Sequence, residues 1–170
     1  MTAYRLLIVD DEPSVLAALR RALRLQFGQA LQIDTCDDPR VALVQVRERP
    51  YDIVLSDLRM PEIDGLAFLT LASVLAPDSV RMVLTGSGDF ETAQRAINDA
   101  GVFRYLSKPW TDAELHGHMA AAMACADERR ADAAPLDRLE AERQRLERLE
   151  PGITQVEWGP AGEVLLGPVD

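Results

Sequence analysis

Short apolar runs alternate with longer stretches of helical periodicity along most of the chain. The runs are nearly continuous in apolar residues, which is typical of strands buried on both faces of a parallel sheet. This pattern predicts strands over Arg5–Val9, Leu31–Cys36, Asp52–Leu55, Arg81–Leu84 and Val102–Leu106. It predicts helices over Pro13–Phe27, Pro39–Arg49, Gly65–Leu75, Phe90–Ala100 and Thr111 to about Ala131. Strand and helix therefore alternate as in a doubly wound α/β sheet with right-handed crossovers.

Local signals at the helix ends agree with these boundaries. Pro13 lies in the first turn of the first helix, where its missing N–H costs nothing. Thr111 and Glu114 have the spacing of a capping box at the start of the fifth helix. Gly101 follows the fourth helix, at a position where glycine commonly ends a helix.

The pattern changes after about residue 128, where leucines recur among arginine and glutamate. Their spacing predicts a helix with a narrow apolar seam, a possible coiled coil that Arg143 interrupts. Pro135 is expected to kink this segment or to start a new helix. The seam residues are Leu136, Leu139, Leu146 and Leu149.

The last segment reads as a small β-hairpin with strands over Ile153–Trp158 and Glu163–Leu166. We therefore expect a domain over residues 1–123, a helical linker over 124–150 and a hairpin tail over 151–170. A hairpin and a short helix are marginal alone, so a homodimer held through residues 130–170 is expected. The alternative is that the helix folds back on its own domain.

Composition narrows the classes of partner. The 170 residues carry a net charge of −10, which disfavours binding to nucleic acid or to anionic membranes. No apolar stretch reaches the roughly 20 residues that span a bilayer. Cys36 and Cys125 are isolated from each other and match no metal-binding spacing. We expect reduced thiols, a cytoplasmic location and no direct binding to DNA or membrane.

Polar residues follow four of the predicted strands at the point where each strand ends. Ligands of open parallel sheets bind outside the carboxyl ends of the strands, where the strand order reverses. With a strand order of 2-1-3-4-5, the first and third strands flank that point. The residues that would converge there are Asp10, Asp11, Asp57, Thr85 and Lys108.

These residue types suit phosphoryl chemistry assisted by a divalent metal. Three clustered carboxylates repel one another unless a cation lies among them, and hard oxygen ligands suit Mg²⁺. Asp57 could act as a carboxylate nucleophile, and Thr85 could donate its hydroxyl to a phosphoryl oxygen. Lys108 is the only lysine among 18 basic residues, and it could pair with another phosphoryl oxygen as a compact charge.

Each motif also has an ordinary structural interpretation. The segment from Asp10 to Pro13 could serve merely as a cap of the first helix, and the segment from Met60 to Gly65 merely as a turn. Lys108 could be merely a solvated charge. Their joint occurrence at four strand ends favours the functional interpretation. The glycines near Gly86 lack Rossmann spacing, and Arg59 stands where dehalogenase-like phosphatases need a second acid.

Five motifs in order resemble the receiver domain of bacterial two-component response regulators, over Tyr4 to about Met123. They are the IVDDEP stretch from Ile8, the DLRMPEIDG stretch from Asp57, the LTG stretch from Leu84, and the AG and YLSKP stretches between Ala100 and Pro109.

The resemblance implies a flavodoxin-like fold and a role for each motif residue. Asp57 would be the phosphoacceptor, with Mg²⁺ held by Asp10, Asp11, Asp57 and the backbone carbonyl of Arg59. Thr85 and Lys108 would contact the phosphoryl group, and Tyr105 would be the switch aromatic. The Lys108–Pro109 bond would be cis, and the side chains of Arg59 and Ser87 would tune the phosphoryl lifetime.

The expected function is therefore signal transduction by phosphotransfer from a histidine kinase or a histidine phosphotransfer protein. The only expected catalysis is the domain's own phosphorylation and dephosphorylation. The alternative is a dimeric scaffold or adaptor that binds partners independently of phosphorylation.

Overall fold

Five parallel strands form one sheet in the order β2-β1-β3-β4-β5. The computed structural model describes residues 3–86 and 88–149, together with the backbone of residues 157–158 and 164–165. The side chains of residues 96, 135 and 136 are not included in this description. The strands are β1 (Tyr4–Val9), β2 (Leu31–Cys36), β3 (Ile53–Asp57), β4 (Val80–Thr85) and β5 (Arg104–Ser107). The helices are α1 (Pro13–Phe27), α2 (Pro39–Glu48), α3 (Gly65–Leu75), α4 (Phe90–Asp99) and α5 (Asp112–Leu149).

The sheet is covered by apolar side chains on both faces, which explains the nearly continuous apolar runs. One core cluster joins the sheet to α1 and the first part of α5, and includes the fully buried Leu19 and Leu115. The other joins the opposite face to α2, α3 and α4, and includes the fully buried Phe68. The predicted doubly wound α/β fold and its strand order are confirmed.

Two of the predicted helix-end signals, the capping box of α5 and the glycine after α4, are present in the structure. The Thr111 amide donates to the Glu114 carboxylate at 2.8 Å, and the Glu114 amide donates to the Thr111 hydroxyl at 3.2 Å, which completes the capping box. Gly101 follows α4 with a φ of 61°, in the left-handed region where glycine has no steric penalty.

The fifth helix differs from the prediction because it does not end near Ala131. It runs from Asp112 to Leu149 and continues through Pro135, where a kink or a new helix was expected. Proline removes one helical hydrogen bond and crowds the carbonyl four residues earlier, but the hydrogen bonds on either side of it can still form.

Residues 130–170 form a second compact unit of the chain. Leu139, Leu146 and Leu149 of the predicted seam are exposed on its helix, while the side chain of Leu136 lies outside the described residues. In the expected hairpin, β6 (Glu157–Trp158) pairs antiparallel with β7 (Val164–Leu165), and the other hairpin residues lie outside the described part. None of the helices in the described ranges is both long and apolar enough to cross a membrane.

Candidate functional site

Three aspartates meet where β1 and β3 end. Val9 is in register with Ser56, so the next residue of each strand, Asp10 and Asp57, lies at the same edge of the sheet. Asp10, Asp11 and Asp57 each offer a carboxylate oxygen within 4.8 Å of the others. Within the ranges that the structure describes, this is the one group of three such side chains with metal-binding spacing.

The acidic cluster is held in an unfavourable environment for negative charge. Asp10 is fully buried and Asp57 is 5% exposed, whereas Asp11 is partly exposed. Burial and the neighbouring Asp10 raise the pKa of Asp57, and the charge of Lys108 offsets part of that rise. The backbone amide of Arg59 donates to the same carboxylate, which also favours its ionised form.

Lys108 bridges the two buried carboxylates from the end of β5. Its Nζ lies 3.1 Å from Asp10 Oδ2 and 3.2 Å from Asp57 Oδ1. Burial alone would lower the pKa of Lys108, but the hydrogen bond to Asp10 and the two negative charges together raise it. The Lys108 amide donates to the Thr85 carbonyl at 2.7 Å, and the following Lys108–Pro109 bond is cis, as the motif implies.

Gly65 fixes the close approach of α3 to the acceptor strand. Its amide donates to the Leu58 carbonyl at 2.9 Å. A Cβ on this residue would lie 2.0 Å from the Asp57 carbonyl oxygen, far inside van der Waals contact. Any side chain at position 65 would therefore push α3 away from the backbone that carries Asp57.

Arg59 lies two residues beyond Asp57 and forms an ion pair with a residue of the next loop. Its Nε and Nη2 both donate to Asp89 Oδ1, at 3.0 Å and 2.6 Å. The Arg59 side chain is 68% exposed and that of Asp89 is 18% exposed. The sequence predicted Arg59 near the acceptor but gave no role to Asp89, which lies just before α4.

The two predicted switch residues, Thr85 and Tyr105, lie in different surroundings. Thr85 is buried at the end of β4, and its hydroxyl donates to the Gly86 carbonyl at 3.2 Å. Tyr105 is 36% exposed on β5 and meets Phe90 edge to face, with ring centroids 6.3 Å apart. Ser87, the second residue expected to tune the phosphoryl lifetime, lies outside the described residues.

Comparison with known proteins identifies the class. The model of the response regulator receiver domain family matches residues 6–120, and the chain belongs to that family. It is 36% identical over 109 residues to the hydrogenase transcriptional regulatory protein HoxA of Cupriavidus necator, covering 64% of this chain and 22% of HoxA. The chain thus spans less than a quarter of the length of this relative.

Solved structures of similar fold agree with this family assignment. The crystal structure of adenylate cyclase from Rhodopirellula baltica has a TM-score of 0.73 and 31% identity, covering 80% of this chain and 98% of that chain. The signal receiver domain of an HD domain-containing protein from Pseudomonas fluorescens Pf-5 has a TM-score of 0.69 and 29% identity, covering 75% of this chain and 99% of that chain. The chain is therefore a receiver domain of the two-component response regulator family with a C-terminal extension.

Proposed function

We propose that Asp57 accepts a phosphoryl group, assisted by a divalent cation that Asp10, Asp11 and Asp57 hold together with the Arg59 carbonyl. Thr85 and Lys108 then contact the phosphoryl oxygens. The observation that carries this proposal is the position of Lys108, which lies between two buried carboxylates at 3.1 Å and 3.2 Å.

The charges of the cluster support a divalent cation. Three carboxylates face one ammonium group, which leaves two negative charges at a site where Asp10 and Asp57 are almost excluded from water. Their hard oxygen donors suit Mg²⁺, which prefers carboxylates and retained waters. When bound, Mg²⁺ would neutralise phosphoryl oxygens during transfer.

The protein's own groups account for the remaining chemistry. An Asp57 carboxylate oxygen attacks phosphorus, and the bond from phosphorus to the donor breaks, so the donor leaves with the bonding electrons. Lys108 exchanges a carboxylate contact for a phosphoryl oxygen as negative charge accumulates there. The Thr85 hydroxyl, which now donates to Gly86, rotates to donate to another phosphoryl oxygen. Water later attacks the same phosphorus, the bond from phosphorus to the Asp57 oxygen breaks, and inorganic phosphate leaves with the Asp57 carboxylate restored.

The donor in the cell is a phosphohistidine on a sensor kinase or a phosphotransfer protein, as the family implies. Breaking its P–N bond leaves a histidine nitrogen that takes up a proton. HoxA is named as a transcriptional regulatory protein, and this chain spans 22% of its length. The absence of direct DNA binding therefore stays a prediction for this chain.

We expect acetyl phosphate and Mg²⁺ to add one phosphoryl group to the full-length protein, as measured by intact mass. Asp57→Asn should abolish the added mass, because the amide is not a nucleophile. The matched control is Asp37→Asn, an exposed acid just beyond the end of β2 at the same edge of the sheet, which should label normally. Chelation of Mg²⁺ with EDTA should prevent labelling, and excess Mg²⁺ should restore it.

Full labelling of Asp57→Asn would contradict the assignment of the acceptor. Absence of labelling in the wild type, with unchanged folding, would instead favour the scaffold or adaptor function. Labelling that persists in EDTA would remove the metal from the proposal.

We also propose that the extension beyond residue 130 forms a homodimer. Leu139, Leu146 and Leu149 are exposed on a helix whose other residues there are mostly charged, and pairing two such seams would remove them from water.

The full-length protein is expected to sediment as a dimer at tens of micromolar, roughly where weak interfaces fill. The double variant Leu139→Glu with Leu146→Glu should sediment as a monomer, because it places charges in the seam. Leu25→Glu, on the exposed face of α1, should remain dimeric. A monomeric wild type would refute the dimer.

A further inference from the structure

The ion pair between Arg59 and Asp89 joins the loop after β3 to the start of α4. Arg59 lies two residues beyond the proposed acceptor, and its backbone amide already donates to the Asp57 carboxylate. Asp89 is the residue before α4, and its carbonyl accepts from the Ala93 amide at 2.9 Å. The two loops that border the acidic cluster are therefore linked by one electrostatic contact.

We propose that Asp89 is a positioning residue that holds Arg59 while Asp57 is unphosphorylated, and that Arg59 exchanges Asp89 for the phosphoryl group once Asp57 is modified. This inference rests on the proposed function. Asp89 would then control the position of Arg59, because its carboxylate competes with the phosphoryl group for the Arg59 guanidinium.

The exchange is favoured by charge and geometry. A phosphoryl group carries about −1.5 to −2 charges and three acceptor oxygens, against one charge and two oxygens on Asp89. The planar guanidinium of Arg59 matches a phosphoryl group in a bidentate manner. Its present partner holds it weakly, because Arg59 is mostly exposed and exposed ion pairs contribute little.

The same exchange would release the start of α4. The Asp89 amide donates to the Gly86 carbonyl over a long distance of 3.4 Å. The next residue, Phe90, begins α4 and meets Tyr105 edge to face. Loss of the Arg59 contact would thus free a segment that touches the exposed aromatic residue of β5, so a charge change at Asp57 would reach that surface through Asp89 and Phe90.

The test uses beryllofluoride, an inorganic mimic of the phosphoryl group, with Mg²⁺ and the full-length protein. Asp89→Asn should bind beryllofluoride about two- to fivefold more tightly than the wild type, because the competing partner of Arg59 is removed. Asp89→Glu, which keeps the charge, should return the dissociation constant to the wild-type value.

A double-mutant cycle separates this role from a merely structural one. In the Arg59→Gln background, Asp89→Asn should leave the dissociation constant unchanged, because no guanidinium remains to be released. Glu62→Gln is the matched control, since it breaks an exposed arginine ion pair in the same loop, with Arg40 at 3.0 Å, and should also have no effect.

The link to α4 has its own readout in the amide resonances of Phe90 and Tyr105. In Asp89→Asn without beryllofluoride, these resonances should move toward their positions in the beryllofluoride-bound wild type. Resonances that stay in place would overturn the link.

An unchanged dissociation constant in Asp89→Asn, or an equal effect in both backgrounds, would overturn the exchange of partners. The proposed function fails separately, if the wild type neither binds beryllofluoride nor labels at Asp57.

Discussion

Gly65→Ala is expected to slow labelling of Asp57 by about 100-fold, the loss that a displacement of about 1 Å can cause at a reactive site. It should also lower the free energy of unfolding by about 1–3 kcal/mol, as overpacking does in a tight interior. The reason is that the new Cβ would lie 2.0 Å from the Asp57 carbonyl oxygen and 2.8 Å from Leu58 Cα. Both are backbone atoms and cannot rotate away, so α3 or the end of β3 must move.

Chemical denaturation and the rate of labelling by acetyl phosphate would measure the two effects. Gly117→Ala is the matched control, because nothing lies within 4 Å of its Cβ position in the second turn of α5. That control should raise the free energy of unfolding by about 0.5–1 kcal/mol, as alanine does in a helix interior, and should label at the wild-type rate. A Gly65→Ala protein with wild-type labelling would show that the loop absorbs the added methyl group without moving Asp57.

Gly65 also marks a limit of sequence reasoning. The Asp64–Gly65 pair reads as a turn, and Asp64 does cap α3 by accepting from the Ala67 amide at 2.8 Å. The reason for glycine is instead a contact with the Asp57 carbonyl. Nothing in the local pattern specifies a distance between two backbones, so a packing constraint can look like turn chemistry.

The acidic cluster and Lys108 could be predicted because parallel strands end at a common edge. Once the apolar runs fixed the strands, the residues after them had to meet, and the structure brings Asp10, Asp57 and Lys108 into contact. This inference needs only the strand order and no side-chain detail.

The partner of Arg59 could not be predicted in the same way. Arg59 and Asp89 are 30 residues apart and lie on two loops, whose relative position depends on packing of the helices that follow them. From the sequence, Asp89 is an acid next to a helix start, which is a common and uninformative arrangement.

The continuity of α5 through Pro135 was missed because the rule for proline describes a cost and not a prohibition.

The second large effect is expected at Lys108, which we would replace by methionine and by arginine. In EDTA, Lys108→Met should lower the free energy of unfolding by about 1–3 kcal/mol, because Asp10 and Asp57 lose the cation between them. This is less than the 3–5 kcal/mol typical of a broken buried pair, since the lysine side chain is 22% exposed.

The pH dependence has a definite sign. Burial and the neighbouring Asp10 already raise the pKa of Asp57, and loss of Lys108 would raise it further. The folded state then prefers Asp57 protonated, so ionisation of Asp57 destabilises the fold more in the variant than in the wild type. The stability difference between the two proteins should be largest at neutral pH and should shrink as the pH falls and Asp57 takes up a proton.

Lys108→Arg separates charge from shape. It should recover most of the stability lost in Lys108→Met, because a cation again faces the two carboxylates. It should nevertheless weaken beryllofluoride binding at least about tenfold, since a longer, planar fork cannot occupy the position of a compact ammonium group and a misplaced charged hydrogen bond costs about 1.5–3 kcal/mol. If Lys108→Arg binds beryllofluoride as the wild type does, the single lysine of this arginine-rich chain contributes only its charge, and the proposed contact between its ammonium group and the phosphoryl oxygen is wrong.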